Sequence, residues 1–205
     1  MSQTDLSREL YQSLWNAADI LRGQMDANEY KSYLLGLIFY KYLSDNILRA
    51  VCDNLDEDFE SFPQAQELYE ENFADPEVRE DLIEIFNDEL GYVIEPSLTF
   101  TKLVQDIHEG TFQLETLAQS FRDIEQSNEK FENLFEDIDL YAKKLGNTPQ
   151  KQNKTISEVM KQLNDLNVSG HAGDILGDAY EYLIGQFASD SGKKAGEFYT
   201  PQAVS

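Results

Sequence analysis

Eight consecutive residues, Tyr33-Leu34-Leu35-Gly36-Leu37-Ile38-Phe39-Tyr40, carry no charge and are apolar on every side of a helix drawn through them. They lie in the middle of a helix predicted over residues 28–52, with Asn28 as its N-cap. A helix that is hydrophobic all round belongs at the centre of a helical protein. The sequence therefore predicts a central helix with four buried side chains: Leu34, Leu37, Ile38 and Leu43.

On either side of this helix, apolar residues recur at helical spacing and indicate further amphipathic helices. The predicted segments are 5–25, 63–73, 77–90 (with Gly91 as its C-cap), 101–109, 111–126, 155–166 and 173–188. A polar, lysine-bearing loop is predicted over residues 146–154, and residues 92–100 read as extended. Because 41% of the residues are hydrophobic, the chain can build a sizeable core. The predicted fold is all-α, a compact helical bundle with at most a short β element near residues 92–100.

The charge of the chain is strongly negative but unevenly placed. The net charge is −23, whereas a free-standing DNA-binding protein is normally basic. Residues 53–95 hold 16 acidic residues and one basic residue, Arg79. Residues 140–157 hold four lysines and no acid. We therefore expect the acidic segment to face solvent or a basic partner, and any contact with DNA to come from another surface.

The residues of common catalytic and metal centres are scarce. Cys52, His108 and His171 are too few and too far apart in sequence to suggest a zinc site or a nucleophile with its base, so we assign no catalytic residue and no metal. The lone cysteine fits a reducing compartment, and no secretory signal or long apolar run is present. The expected localisation is cytoplasmic, without contact with a membrane.

The last ten residues contain the segment Gly196-Glu197-Phe198-Tyr199-Thr200-Pro201. Two aromatic rings beside Thr-Pro suit the wall of a binding site, and a proline in the first turn of a helix leaves free N–H groups that attract an anion. Thr-Pro is also an ordinary helix start. From the residues alone, both interpretations stay open.

The chain resembles the modification (M) subunits of type I restriction–modification systems. The similarity rests on the run from Asp174 to Ile184 followed by residues 196–201. It extends to the stretches Leu14–Gly23, Tyr30–Leu37, Phe39–Asp45 and Leu134–Leu140. The resemblance implies a helical N-terminal domain followed by a Rossmann-like methyltransferase domain, which transfers methyl from S-adenosylmethionine to adenine N6.

The resemblance also implies partners and a cofactor edge. Two M subunits would join one specificity (S) subunit on double-stranded DNA, and a restriction (R) subunit would add cleavage. The methionine end of S-adenosylmethionine would be lined by Glu197, Phe198, Tyr199, Thr200, Pro201 and Gln202.

Two motifs of the family are missing from this sequence: the glycine-rich cofactor turn and the Asn-Pro-Pro-aromatic motif that holds the flipped adenine. We therefore expect the chain to be part of a longer subunit and to be inactive by itself. The expected division is an N-terminal helical domain over residues 1–168. Residues 169–205 would hold a connecting helix, a hinge and the first element of the methyltransferase domain.

In the family, the N-terminal domain helps the modification subunit to assemble with the specificity subunit and to close on DNA. Here the acid-free lysines that could contact phosphates are Lys143, Lys144, Lys151 and Lys154. Alternatively, they solubilise a loop or balance nearby acids such as Asp137 and Asp139. For the whole chain, the other hypotheses are an acidic mimic of DNA and a helical protein-interaction module without enzymatic activity.

Overall fold

The computed structural model describes residues 3–166 and Glu181, with side chains from Arg8 onward. Within this part of the chain the α-helices are α1 (Gln3–Arg22), α2 (Ala27–Asn54), α3 (Phe62–Phe73), α4 (Pro76–Glu89), α5 (Phe100–Glu109), α6 (Leu114–Ser127) and α7 (Pro149–Leu163). Short 3₁₀ turns lie at Pro96–Leu98 and Glu129–Phe131, and no strand occurs among the described residues. The all-α prediction is confirmed. The helix predicted over 173–188 and the predicted hinge lie outside the described residues.

Helix α2 is the centre of the bundle and packs against α1, α3, α4 and α5. The four side chains predicted to be buried are all inaccessible or nearly so, which confirms the central position. One narrow stripe of α2, formed by Leu35, Phe39 and Tyr42, is only partly buried against the core. Burying each large apolar side chain contributes about 1.5–3 kcal/mol, so α2 supplies much of the drive for folding.

The start of α2 differs from the prediction. The N-cap is Asp26 and not Asn28, which lies inside the first helical turn. Asp26 Oδ1 accepts from the backbone N–H of Glu29 at 3.1 Å, and Glu29 Oε2 accepts from the N–H of Asp26 at 3.0 Å. This reciprocal capping box satisfies two otherwise unpaired N–H groups, which a cap at Asn28 would not do.

The extended segment after α4 is held by side chains and not by a β ladder. Gln66 Nε2 donates to the carbonyl of Pro96 at 2.8 Å, and the hydroxyl of Tyr69 donates to that of Ile94 at 2.9 Å. These bonds satisfy backbone groups that would otherwise be buried without partners. The structure thus contains a 3₁₀ turn where the sequence allowed at most a short β element.

The last described helix begins earlier than the sequence indicated. Thr148 is the N-cap of α7 and Pro149 is its first residue, so the predicted loop over 146–154 is wrong beyond residue 148. Proline is favoured at the first helical position because its missing N–H would be unpaired there anyway. The start of α7 therefore holds Lys151 and Lys154 on a helix.

Candidate nucleic-acid interface

A turn that carries Lys143 and Lys144 is fastened to the first turns of α7. The buried side chain of Gln152 donates from Nε2 to the carbonyls of Tyr141 and Gly146, at 3.1 and 3.0 Å. The hydroxyl of Thr155 donates to the carbonyl of Leu145 at 2.7 Å. Because α7 thus holds the turn at three carbonyl groups, the lysines of the turn keep a defined place beside those of the helix.

The contact between this turn and α7 requires glycine at position 146. A Cβ atom on Gly146 would lie 2.9 Å from the backbone nitrogen of Gln152 and 2.9 Å from the carbonyl carbon of Lys151. Such distances are shorter than van der Waals contact, and backbone atoms inside a helix cannot move aside easily. Gly146 is therefore the residue that allows the turn to approach the helix.

The turn, the start of α7 and Gln24 border an open surface depression of about 450 Å³. We call it the lysine basin. Its lining comprises Lys143, Lys144, Lys151 and Lys154 together with Gln24, Leu145, Gly146, Asn147 and Thr155. All four lysines named from the sequence thus meet at one place, and no carboxylate is part of the lining.

Electrostatics favour an anion in the lysine basin. Among the described residues, the side chains of Lys143, Lys151 and Lys154 make no hydrogen bond or ion pair and are exposed. Lys151 also lies in the first turn of α7, where the helix dipole disfavours a cation. Like charges gathered at a helix N-terminus repel each other, and a phosphate group would relieve both effects.

One lysine of the basin has an acidic partner that the sequence did not reveal. Lys144 donates to Glu29 Oε1, at the N-terminal end of α2. Among the described residues, neither Asp137 nor Asp139 forms an ion pair with a basin lysine. Because Lys144 and Glu29 are far apart in sequence, no local sequence pattern indicates that they pair.

The other predicted site lies beyond the described part of the chain. Residues 197–202, assigned to the methionine end of the cofactor, are all outside it. Within the described residues, no cluster of His, Cys, Asp and Glu is arranged to hold a metal ion. Nor does any described helix have the length and apolar character needed to cross a membrane.

Two protein families match successive parts of the chain. The HsdM N-terminal domain family matches residues 10–163, and the N-6 DNA Methylase family matches residues 171–205. A solved structure with the same fold is the type I restriction-modification system methyltransferase subunit from Streptococcus thermophilus. The TM-score is 0.84 and the sequences are 64% identical, over 96% of this chain and 42% of that chain.

Two curated relatives have the same character. The type I restriction enzyme MpnII methylase subunit of Mycoplasma pneumoniae is 31% identical over 99% of this chain and 39% of its own length. The MjaIX methylase subunit of Methanocaldococcus jannaschii is 28% identical over 98% of this chain and 34% of its own length. The chain thus spans little more than a third of the curated relatives it matches. Since the first family covers most of the chain, including every described helix except the start of α1, the chain belongs to the HsdM N-terminal domain family.

Proposed function

We propose that the chain is the N-terminal part of the modification subunit of a type I restriction–modification system. In its complete form, the subunit would transfer methyl from S-adenosylmethionine to N6 of adenine in DNA. The observation that carries the proposal is the succession of two family matches along one chain, the HsdM N-terminal domain over residues 10–163 and the N-6 DNA Methylase family over residues 171–205. A division near residues 168 and 169 fits this succession.

The experiment is a methyl-transfer assay on the complete subunit assembled with its specificity subunit. Labelled S-adenosylmethionine should transfer its methyl group to duplex DNA, and digestion should recover the label as N6-methyladenine. The 205-residue chain alone should transfer none. Label recovered on cytosine, or an assembly that leaves DNA unmodified, would contradict the proposal.

The cofactor edge is a second part of the proposal. Residues 197–202 would contact the methionine end of S-adenosylmethionine, with Phe198 and Tyr199 as the apolar wall. Support comes from the N-6 DNA Methylase match, which includes this segment. Calorimetric titration of the complete subunit should show weaker cofactor binding in Tyr199→Ala, while the isolated chain should bind weakly or not at all.

The partners follow from the same family. The assembly would contain two modification subunits and one specificity subunit on double-stranded DNA, with a restriction subunit added for cleavage. Native mass spectrometry of the co-expressed subunits measures this stoichiometry directly. We place the assembly in the cytoplasm, in keeping with a single, buried free thiol at Cys52.

The role that we propose for the N-terminal domain is contact with the DNA backbone through the lysine basin. Four lysines around one depression can neutralise phosphates, and such contacts add affinity without sequence preference. The test changes all four lysines to alanine in the complete assembly and measures DNA binding against salt. The logarithmic salt slope should become shallower by about 0.9 for each phosphate that the variant no longer neutralises, with unchanged sequence preference.

Lys161→Ala is the matched control for this test. Lys161 lies on α7 as well, but it pairs with Glu158 at 3.0 Å and does not line the basin. Its removal should leave the salt slope unchanged. If the four-lysine variant has the same salt slope as the unaltered assembly, the lysine basin does not contact DNA.

A further inference from the structure

Glu29 makes two different bonds with its two carboxylate oxygens. Oε2 accepts from the backbone N–H of Asp26 and completes the capping box of α2, while Oε1 accepts from the ammonium group of Lys144. The bond to Asp26 ties the carboxylate to the N-terminal end of α2. Lys144, in contrast, belongs to the turn that borders the lysine basin. The structure therefore holds a fixed anion against one cation of the proposed phosphate site.

The bond between Glu29 and Lys144 is of the kind that an incoming anion can replace. The Lys144 side chain is 54% exposed and that of Glu29 is 35% exposed, so water and salt screen their attraction. The hydrogen bond from Lys144, followed by that from the Asp26 N–H, lowers the pKa of Glu29. At neutral pH the carboxylate is thus charged and occupies the ammonium group that a phosphate would need.

We propose that Glu29 is an internal counter-ion of the lysine basin, which a DNA phosphate displaces from Lys144 on binding. The inference rests on the proposed contact between the basin and the DNA backbone, and it adds a competitor that weakens this contact. Lys144 moves from the carboxylate to the phosphate, while Glu29 stays in place because the cap of α2 holds it. A phosphate that binds Lys144 more weakly than Glu29 does would then not displace the carboxylate.

The experiment is Glu29→Gln in the complete assembly, with binding to duplex DNA measured over a series of salt concentrations. Glutamine keeps an oxygen that accepts from the Asp26 N–H, so the capping box survives. The charge that holds Lys144 is removed. The variant should bind DNA about two- to fivefold more tightly, the effect of releasing one exposed ion pair, and its salt slope should steepen by up to about 0.9.

A general loss of negative charge must be separated from the specific release of Lys144. Glu80→Gln changes the net charge by the same amount on α4, at an exposed residue that does not line the basin. It should leave affinity and slope unchanged. In a Lys144→Ala background, Glu29→Gln should likewise have no effect. Equal gains in that background, or in Glu80→Gln, would overturn the proposal.

Lysine variants distinguish failure of this inference from failure of the proposed function. If Lys151→Ala with Lys154→Ala weakens DNA binding but Glu29→Gln behaves as the unaltered assembly, the basin contacts DNA and Glu29 is not its competitor. If neither set changes DNA binding, the contact between basin and backbone is itself wrong. Tighter binding in Glu29→Gln that disappears without Lys144 supports both.

Discussion

The ammonium nitrogen of Lys41 lies 2.7 Å from Oδ2 of Asp45, one turn further along α2, and both side chains are almost completely shielded from solvent. Oδ1 of Asp45 has no hydrogen-bond partner in the described part of the chain. The same nitrogen of Lys41 lies 5.0 Å from the ring centre of Phe62 and 5.2 Å from that of Phe100. Two charges are thus buried among aromatic rings, where removing one leaves the other uncompensated.

Replacing Lys41 alone should therefore destabilise the protein strongly. Lys41→Met keeps the length of the side chain but strands the carboxylate, and it should lower the free energy of unfolding by about 3–5 kcal/mol. Adding Asp45→Leu should recover most of this loss. Lys102→Ala, which breaks a more exposed pair with Asp106, should cost at most about 1 kcal/mol. Urea denaturation measures the free energy of unfolding of all three variants. A double variant that is no more stable than Lys41→Met would contradict the expected effect of an uncompensated buried charge.

Asp45 should also make stability depend on pH in an unusual direction. Burial raises the pKa of its carboxyl group from 3.8 to about 6, against the opposing effects of Lys41 and Arg49. The stabilising contribution of the protonated group is complete below the unfolded pKa and is lost as pH rises through about 6. Relative to Asp45→Asn, the unaltered protein should lose about 1–2 kcal/mol of unfolding free energy between about pH 5 and about pH 7.5.

The measurement is urea denaturation of both proteins at the two pH values. Other acids titrate equally in both, so their contributions cancel in the difference. The quantity compared is the difference in unfolding free energy between the two proteins. If it is the same at both pH values, or shifts in favour of the unaltered protein at the higher pH, the pKa of Asp45 is not raised.

Substituting Gly146 should disturb the lysine basin. Gly146→Ala places a methyl group against the backbone of α7, so the turn must move away, at a cost of about 1–3 kcal/mol in unfolding free energy. Gly23→Ala is the matched control, because a Cβ atom there meets nothing within 4 Å. Thermal unfolding should separate the two variants clearly. Equal stability would show that the turn adapts without loss.

The carbonyl of Leu98 offers a test of shared hydrogen bonding. It accepts from the hydroxyl of Tyr40 and also from that of Ser120, the latter at 3.1 Å. Tyr40→Phe and Ser120→Ala should each cost about 1 kcal/mol or less, since one donor remains. Together they leave a buried carbonyl unpaired, and the loss should exceed the sum by about 1 kcal/mol.

A second pair of substitutions provides the comparison. Tyr92 donates to a different carbonyl, that of Leu43, at 2.8 Å. Tyr92→Phe combined with Ser120→Ala should therefore be additive. Additivity in the Tyr40 pair as well would show that the two donors to Leu98 act independently.

The sequence predicted what depends on local pattern. The apolar run from Tyr33 to Tyr40 predicted the buried helix α2, and helical spacing predicted α3, α4 and α5 to within a residue or so at each end. The starts of α2, α6 and α7 were wrong, although for α2 and α7 the correct signals were present in the sequence. Asp26 and Glu29 form a capping-box pattern, and Thr148 with Pro149 is a common helix start. In both places a second polar residue nearby offered an equally acceptable boundary.

What the sequence could not predict depends on tertiary contact. The bond from Lys144 to Glu29 joins residues on separate elements, and the bonds from Gln152 to the turn depend on how α7 lies against it. The spacing of the lysines indicated a basic segment of the sequence. The surface depression that they line forms only because the turn packs against α7. The burial of Lys41 and Asp45 could not be predicted either, because Phe62 and Phe100, which pack against Lys41, belong to other helices.

The packing of α1 against α7 has a consequence for the synthesis of the protein. The apolar face of α1, which includes Leu14, Ala17 and Leu21, is fully buried in the folded bundle, where α1 packs against both α2 and α7. The ribosome adds about 140 residues between the end of α1 and the end of α7. At about 5–20 residues per second, this takes roughly 7 to 30 s. During that interval the part of α1 that later packs against α7 stays exposed in the nascent chain.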